Sequence, residues 1–328
     1  MRITGRLATS TVAAGLVAGL IVAVAPTARA ATSEGTRPTA TASKDSAGKN
    51  TAGQRTAGQN AAAKNAASKA PAVRAPWAEL ANEATGADLW SRGSTSEQPM
   101  GSITKIMTAY VVIEAGNLNR VITVPRGIIA YDKKYNASTA GLAPGEKLTA
   151  QQLLYGLLLP SGCDAAYALA AAYGKDGRLT DFLAQMNATA RKLGLTKTHF
   201  SDFSGLPDPG ERTTYSTARD LVTLGRDAMR LAAFRQVVGT RTYRVPPTSH
   251  NDPHVWTNLN SLLAHYAGAT GIKTGWTTAA GNCLLFAATR RGKELIGVVL
   301  DSSKPDTTAG MNAAATDAEA MLNWGFSK

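Results

Sequence analysis

The chain has 328 residues, with 35 Lys and Arg against 23 Asp and Glu, a formal charge of +12, two cysteines and four histidines. Two cysteines allow one disulfide at most, which a chain of this size does not need, and four histidines leave little for a metal centre. His250 and His254 stand i,i+4, yet Pro253 between them denies them a common helix face.

In chain order, Arg2 and Arg6 precede an uncharged apolar stretch, Val12 to Ala25, that Pro26 breaks before the small-x-small triplet Ala28-Arg29-Ala30. Residues 1–30 therefore read as a secretory signal peptide that is cleaved. An uncleaved anchor is the alternative, since Leu7 to Ala25 is almost long enough to span a bilayer. Residues 31–75 are Ala, Thr, Ser, Gly, Lys, Gln and Asn without an aromatic residue, and Thr51-Ala52-Gly53-Gln54-Arg55 returns almost unchanged as Thr56-Ala57-Gly58-Gln59-Asn60. Such a segment buries too little apolar surface to offset its ordering entropy, so a disordered linker is expected, with ends about 35–40 Å apart as a flexible coil. The signal segment holds three of the twelve surplus charges and the linker five, leaving four for residues 76–328. A nucleic-acid binder carries its basic excess on the folded part, so that class is set aside. The linker's charge suits contact with anionic wall polymers or membrane headgroups, or serves only solubility.

Residues 76–328 are ample for a real core. Gly101-Ser102-Ile103-Thr104-Lys105 runs into Ile106, Met107, Tyr110, Val111 and Ile113, a helix expected to begin near Ser102 and stop at Gly116. The i,i+3 spacing stacks Lys105 one turn from Ser102. A serine hydroxyl needs a base within hydrogen-bond reach to become a nucleophile, and a buried lysine serves that purpose. Alone, Ser-x-x-Lys is common. Next comes Leu153 to Pro160, a buried helix ended by proline, then Ser161-Gly162-Cys163 as a tight turn opening another helix. Gly271-Ile272-Lys273-Thr274-Gly275-Trp276 precedes two apolar runs, Asn282 to Thr289 and Leu295 to Leu300, which pair as antiparallel strands across Arg290 to Glu294. The conjunction of Ser-x-x-Lys, Ser-Gly-x and Lys-Thr-Gly, in that order, is far rarer than any one of them.

With these three motifs the sequence resembles the low-molecular-mass penicillin-binding proteins, the serine D-alanyl-D-alanine carboxypeptidases and transpeptidases. The likeness covers nearly all of residues 76–328, including Phe182 to Asn187, Leu193 to Leu195, Thr198 to Phe200, Gly205-Leu206, Tyr215 to Leu221, Asn260 to Leu263 and a closing helix with Met321 to Phe326. It implies an α+β fold of the β-lactamase/transpeptidase type: an antiparallel sheet flanked by helices, a mostly helical subdomain, and a cleft between them. It also implies roles. Ser102 attacks the carbonyl between two D-alanines, Lys105 takes its proton, and Ser161 relays a proton to the leaving amine. Cys163 stands at a substrate-binding position, Lys273 and Thr274 hold the terminal carboxylate, Gly275 leaves room for a peptide along the strand, and the backbone N–H groups of Ser102 and Trp276 form the oxyanion site. No metal or organic cofactor is implied. The partners implied are peptidoglycan stem peptides and inhibitory β-lactams, outside the cytoplasm, with the enzyme acting as a monomer.

Two departures stand out. Most relatives carry Asn where this chain has Cys163, and a thiol is a weak donor and acceptor by comparison. No arginine follows Gly292, where some carboxypeptidases use one to grip the terminal carboxylate, and only Lys304 could substitute. Transfer to an amine acceptor gains ground accordingly. We expect no Cys163–Cys283 disulfide. A class A β-lactamase is the nearest rival, but Glu211, the only glutamate between Ser161 and Lys273, sits in a Pro/Gly-rich loop without the expected surroundings. A vestigial wall-binding protein would have lost Ser102, Lys105 or Lys273, and all three are present. The segments Tyr131 to Asn136 and Ser138 to Pro144 are candidates to overhang the site, and Arg226, Arg230 and Arg235 read as a solvated helix face.

Overall fold

The structure, a computed structural model, describes residues 70–328; the expected signal peptide and most of the linker lie outside the described residues. The elements are strands β1 (Trp77–Asn82) and β2 (Asp88–Arg92), a 3₁₀ turn over Gly101–Thr104, helix α1 (Lys105–Ala115), strand β3 (Val121–Thr123), helix α2 (Gly127–Tyr135), strand β4 (Lys147–Thr149) and helices α3 (Ala150–Leu158), α4 (Cys163–Tyr173), α5 (Leu179–Lys192), α6 (Ala218–Arg230) and α7 (Ala232–Val238). Strands β5 (Thr242–Val245) and β6 (His254–Thr257) follow, then α8 (Leu262–His265), β7 (Ala269–Gly275), β8 (Cys283–Arg290), β9 (Lys293–Leu300) and α9 (Thr308–Phe326).

Five strands form one antiparallel sheet in the order β2-β1-β9-β8-β7, and β3-β4 and β5-β6 form two short pairs. Strands β8 and β9 read as unbroken apolar runs because both of their faces are covered. With period two, Leu284, Phe286, Ala288, Leu295 and Val299 pack in one cluster with Ala314, Ala318, Met321 and Leu322 of α9. The alternate set, Leu285, Ala287, Ile296 and Val298, joins the larger core that contains Leu221, Leu224 and Ala228 of α6 and most of the helical subdomain. The turn joining β8 to β9 is tighter than expected: Arg290 pairs with Lys293, and Arg291 and Gly292 both have positive φ, as a two-residue hairpin of matching twist requires.

Helix α1 lies between sheet and helices and is buried along most of its length. Helix α3 opens with a reciprocal cap, in which Gln152 N donates to Thr149 Oγ1 at 3.1 Å and Thr149 N donates to Gln152 Oε1 at 2.8 Å, and it stops before Pro160. Three elements depart from expectation. Ser102 stands in a 3₁₀ turn, and the regular helix begins only at Lys105. Arg226 and Arg235 do not simply face solvent, since Arg226 Nε donates to the Glu83 carbonyl at 2.8 Å and Arg235 Nη1 to the Met229 carbonyl. The expected disordered linker also ends earlier than residue 75. Val73 and Ala75 are buried, Arg92 Nη1 donates to the Val73 carbonyl at 2.8 Å, and the N–H groups of Arg74 and Ala75 donate to the two carboxylate oxygens of Asp317 at 3.1 and 3.0 Å. The packed body therefore starts before Pro76.

Asp317 is 1% exposed, so removing its carboxylate strands two backbone donors. Asp317→Ala should cost about 2 kcal/mol in denaturant unfolding and make the backbone up to Ala75 newly susceptible to limited proteolysis. Unchanged stability and cleavage would mean that this tie does not hold the segment.

Candidate active site

The 3₁₀ turn carrying Ser102 is held against the end of β7 by backbone on both sides. Gly101 has φ +52°, and a Cβ on it would lie 2.7 Å from the Trp276 nitrogen; a Cβ on Gly275 would lie 2.5 Å from the Met100 carbonyl oxygen. Both positions demand glycine, because any side chain would push the turn off the strand. The missing Cβ of Gly275 thus makes room for the Ser102 turn, and Gly275 also borders the cleft beside it.

Three residues later, with side chains nearly eclipsed by the 3₁₀ geometry, Lys105 reaches back to Ser102. Its Nζ lies 2.8 Å from Ser102 Oγ, 2.8 Å from the Ser204 carbonyl and 3.3 Å from Cys163 Sγ, with the side chain 0% exposed. Those three neighbours match the three sites of an amine nitrogen, so its position is fully determined. When neutral, the amine offers its lone pair to the Ser102 hydroxyl.

Ser161 stands at φ +66°, unusual for a residue with a Cβ. The turn is pinned: Ser138 Oγ donates to the Ser161 carbonyl at 2.8 Å, Cys163 N to the Ser138 carbonyl at 2.8 Å, and Gly162 N to the Gly156 carbonyl at 3.0 Å. Asp164, buried at the start of α4, accepts the N–H groups of Ala140 and Leu142 and so ties down the loop that supplies Ser138. Ser161 as a residue is 4% exposed, and its hydroxyl oxygen is buried with no hydrogen-bond partner among the described residues.

Lys273 lies 1% exposed on β7, its Nζ donating to the Thr274 carbonyl at 2.9 Å. Burial first, and the charge of Lys105 second, hold its ammonium well below the usual lysine range. Neither lysine makes an ion pair with a carboxylate among the described residues.

These groups surround a cleft of about 260 Å³. Ser102, Ser161, Thr274, Gly275 and Trp276 line it, as do Tyr135, Asn136 and Ser138 from the expected overhanging segments. Lys105, Cys163 and Lys273 do not line it; they lie buried behind the lining. Cys163 therefore meets Lys105 and, at 3.8 Å, Ser138 Oγ, where a substrate contact was expected. Both cysteines are free and buried, and burial pushes the Cys283 thiol up to about 12. Trp276 is anchored by its indole N–H on the Lys304 carbonyl at 2.9 Å. Lys304, the expected substitute for an arginine, is instead paired with Asp301 at 2.8 Å and does not line the cleft. Glu211 does line it, but is exposed and bonds neither Ser102, Lys105 nor Ser161. His254 is taken by Glu146 at 3.0 Å, inside the fold.

Sequence reasoning missed the support behind Lys105. Asp202, buried, accepts the N–H groups of Ser204, Gly205 and Leu206 at 2.7, 2.6 and 2.9 Å on one oxygen and the Tyr131 hydroxyl at 2.5 Å on the other. It thereby fixes the Ser204 carbonyl that holds Lys105. Burial and the Asp202 charge push the Tyr131 phenol far up, so it stays a neutral donor. The signal was present in Asp202-Phe203-Ser204-Gly205, a run suited to an aspartate-capped turn.

Residues 63–304, more than half of the chain, match the model of the Peptidase S11 family, D-alanyl-D-alanine carboxypeptidase. The chain belongs to the D-alanyl-D-alanine carboxypeptidase family. It is 41% identical over 255 residues to a D-alanyl-D-alanine carboxypeptidase of Streptomyces sp. strain K15, covering 75% of this chain and 84% of that protein. With the D-alanyl-D-alanine carboxypeptidase DacB2 of Mycobacterium tuberculosis it shares 35% over 248 residues, 75% of this chain and 80% of the other. The crystal structure of the Streptomyces K15 DD-transpeptidase superposes with a TM-score of 0.73 at 40% identity, covering 79% of this chain and all of that one. The M. tuberculosis carboxypeptidase structure gives 0.69 at 32%, covering 79% and 94%. The fold is thus the α+β arrangement of these DD-peptidases, as the resemblance implied.

An amine buried without a counter-charge is maintained against stability. Lys273→Met should leave the thermal midpoint equal or higher while the rate of penicillin acylation falls by at least about 100-fold. The unfolded chain binds the Lys273 proton more readily than the folded one, so wild-type stability rises with pH between the lowered value and the ordinary lysine value near about 10.4. The wild-type deficit relative to Lys273→Met should therefore grow as pH falls through that window and then level off. A stability difference that is flat with pH would show that Lys273 titrates normally.

Proposed function

We propose that the chain is an exported serine DD-peptidase that forms an acyl-enzyme on Ser102 from D-alanyl-D-alanine-terminated peptidoglycan stem peptides. The observation that carries this reading is the 2.8 Å contact of Lys105 Nζ with Ser102 Oγ, at a cleft that Ser102 and Ser161 both line. Ser102 Oγ attacks the carbonyl between the two D-alanines as Lys105 takes its proton. The oxyanion lies between the backbone N–H groups of Ser102 and Trp276, and the close approach of the Gly101 and Trp276 backbones supports that placement. The proton that Lys105 took from Ser102 is relayed through the Ser161 hydroxyl to the amine of the departing D-alanine, which leaves Lys105 neutral and Ser161 protonated again. Thr274 receives the terminal carboxylate at the surface, with Lys273 behind it setting the local field.

Cys163 acts through Lys105 and Ser138 in this reading. The acyl group then passes to water or to an amine. Transfer to an amine is favoured because no cationic side chain among the described residues lines the cleft and Lys304 is paired with Asp301. β-Lactams acylate the same serine and leave slowly. The signal-like residues 1–30 support export, and the linker spaces the catalytic body from whatever its N-terminal part contacts. The enzyme works as a monomer without metal or organic cofactor.

Intact mass after benzylpenicillin should show one stable adduct on the mature protein and none on Ser102→Ala. A D-Ala-D-Ala peptide with glycine present should then yield a glycine-capped product beside free D-alanine. Absence of the adduct on the unmodified protein would refute the reading, and rapid turnover of penicillin would make the chain a β-lactamase.

A further inference from the structure

Ser161 owes its place to residues 138–140, and those residues are themselves held from behind the cleft. Ser138 spans the turn, its Oγ donating to the Ser161 carbonyl at 2.8 Å and its carbonyl accepting Cys163 N at 2.8 Å. Two residues on, Ala140 is caught at both of its backbone polar groups by side chains. Its N–H donates to the Asp164 carboxylate at 2.8 and 3.0 Å, and its carbonyl accepts the indole N–H of Trp256 at 2.7 Å. Trp256 lies on β6, 3% exposed and 116 residues along the chain. The packing around it is close. A Cβ on Gly156 would lie 3.2 Å from Ala140 Cβ and 3.3 Å from Trp256 Cζ2, and a Cβ on Gly162 would lie 2.8 Å from Ala140 Cβ. Indole, Ala140 and the Gly156–Gly162 stretch therefore press on one another, and a shift in one is passed to the next.

Behind the indole stands a buried polar pair. The His254 ring stacks on Trp256 at 5.1 Å and 22°, and His254 Nε2 meets Glu146 Oε1 at 3.0 Å, both residues buried. Glu146 also accepts Ala143 N at 2.7 Å and Asp252 N at 2.8 Å. Its carboxylate thus joins the far end of segment 138–146 to the strand that carries Trp256. The indole also stacks with Tyr243 at 6.3 Å, itself stacked on Tyr155 of α3 at 3.6 Å. Core filling alone would be served by a phenyl ring. The indole adds a donor, and that donor goes to the segment that brackets Ser161.

From this we infer that Trp256, backed by His254 and Glu146, is a positioning residue for Ser161 in the transfer of a proton to the leaving amine. The inference rests on the DD-peptidase reading for the reaction it serves. Trp256 does not line the cleft, so it acts through Ala140 and Ser138. Acylation forms the bond between Ser102 Oγ and the carbonyl carbon and breaks the carbon–nitrogen bond, and the nitrogen departs only as it gains a proton. A displaced Ser161 hydroxyl fails at that transfer. The Lys105–Ser102 contact is held separately, by the Ser204 carbonyl, and stays in place. Trp256 therefore matters for amide substrates and not for a substrate whose leaving group needs no proton.

The test uses the full mature chain and two substrates that differ at one atom, each assayed with glycine as acceptor. One is diacetyl-lysyl-D-alanyl-D-alanine, and the other is its thioester, with sulfur in place of the scissile nitrogen. The thiolate leaves unprotonated. Trp256→Phe keeps a ring and removes the N–H. It should lower kcat/KM for the peptide by about 10- to 30-fold and for the thioester by no more than about threefold. His254→Gln keeps a polar partner for Glu146 but removes the ring behind the indole, and should show the same split at about threefold on the peptide. This milder variant decides the matter should circular dichroism show Trp256→Phe unfolded. In a Ser161→Ala background, Trp256→Phe should cost the peptide reaction less than about twofold further, because both changes act on one step. Equal losses on the two substrates, full peptide activity in both variants, or additive losses in the double variant would overturn the inference. Turnover that survives Ser102→Ala would instead refute the acyl-enzyme reading, whereas equal losses in a chain that depends on Ser102 refute the positioning role alone.

Discussion

The candidate site depends on one close contact, the seating of the Met100–Ile103 backbone against the Gly275–Trp276 backbone at the end of β7. Neither Gly101 nor Gly275 has room for a methyl group, and the contact joins the helical subdomain, through α1, to the edge of the five-stranded sheet. Backbone packed on backbone is stiffer than side-chain packing, because it has no rotamers through which to relax. That stiffness gives Ser102 a fixed place relative to the Trp276 N–H, which oxyanion stabilisation needs before charge develops.

Around that contact the fold accepts a costly arrangement. Two lysines are buried without a direct ion pair among the described residues, an unpaired hydroxyl sits at Ser161, and a non-glycine residue there adopts left-handed backbone. Each feature works against stability, and each clusters at the cleft. The offset comes from the sheet, where β8 and β9 are buried on both faces, and from buried carboxylates that each collect several backbone donors: Asp164, Asp202 and Asp317. Asp202 and Asp164 are the more consequential pair, since they fix the loops that hold Lys105 and Ser161. The catalytic groups are thus positioned mainly through main-chain carbonyls, which leaves their own polar atoms available for chemistry.

Much of this was legible in the sequence because its determinants are local. Ser102 and Lys105 meet through helical spacing, Ser161 follows a proline-terminated helix, and β8 and β9 announce themselves as two apolar runs around a short turn. What escaped was tertiary. The purpose of Gly275 is set by Met100, far away in the chain; the order at Arg74 and Ala75 is set by Asp317, more than two hundred residues on. Cys163 was expected to face substrate, but motif position alone does not say which side of the cleft wall a side chain occupies. Lys304 is near the cleft in sequence terms, yet Asp301 three residues earlier captures it.

The most direct measurement is a crystal structure of the penicillin-treated protein. The expected result is an ester on Ser102 Oγ whose carbonyl oxygen lies within hydrogen-bond distance of both the Ser102 and Trp276 backbone N–H groups, with Gly101 still against Trp276 and Gly275 against Met100. An adduct whose carbonyl oxygen points away from those two donors, or one attached to another residue, would contradict the placement of the chemistry at this contact.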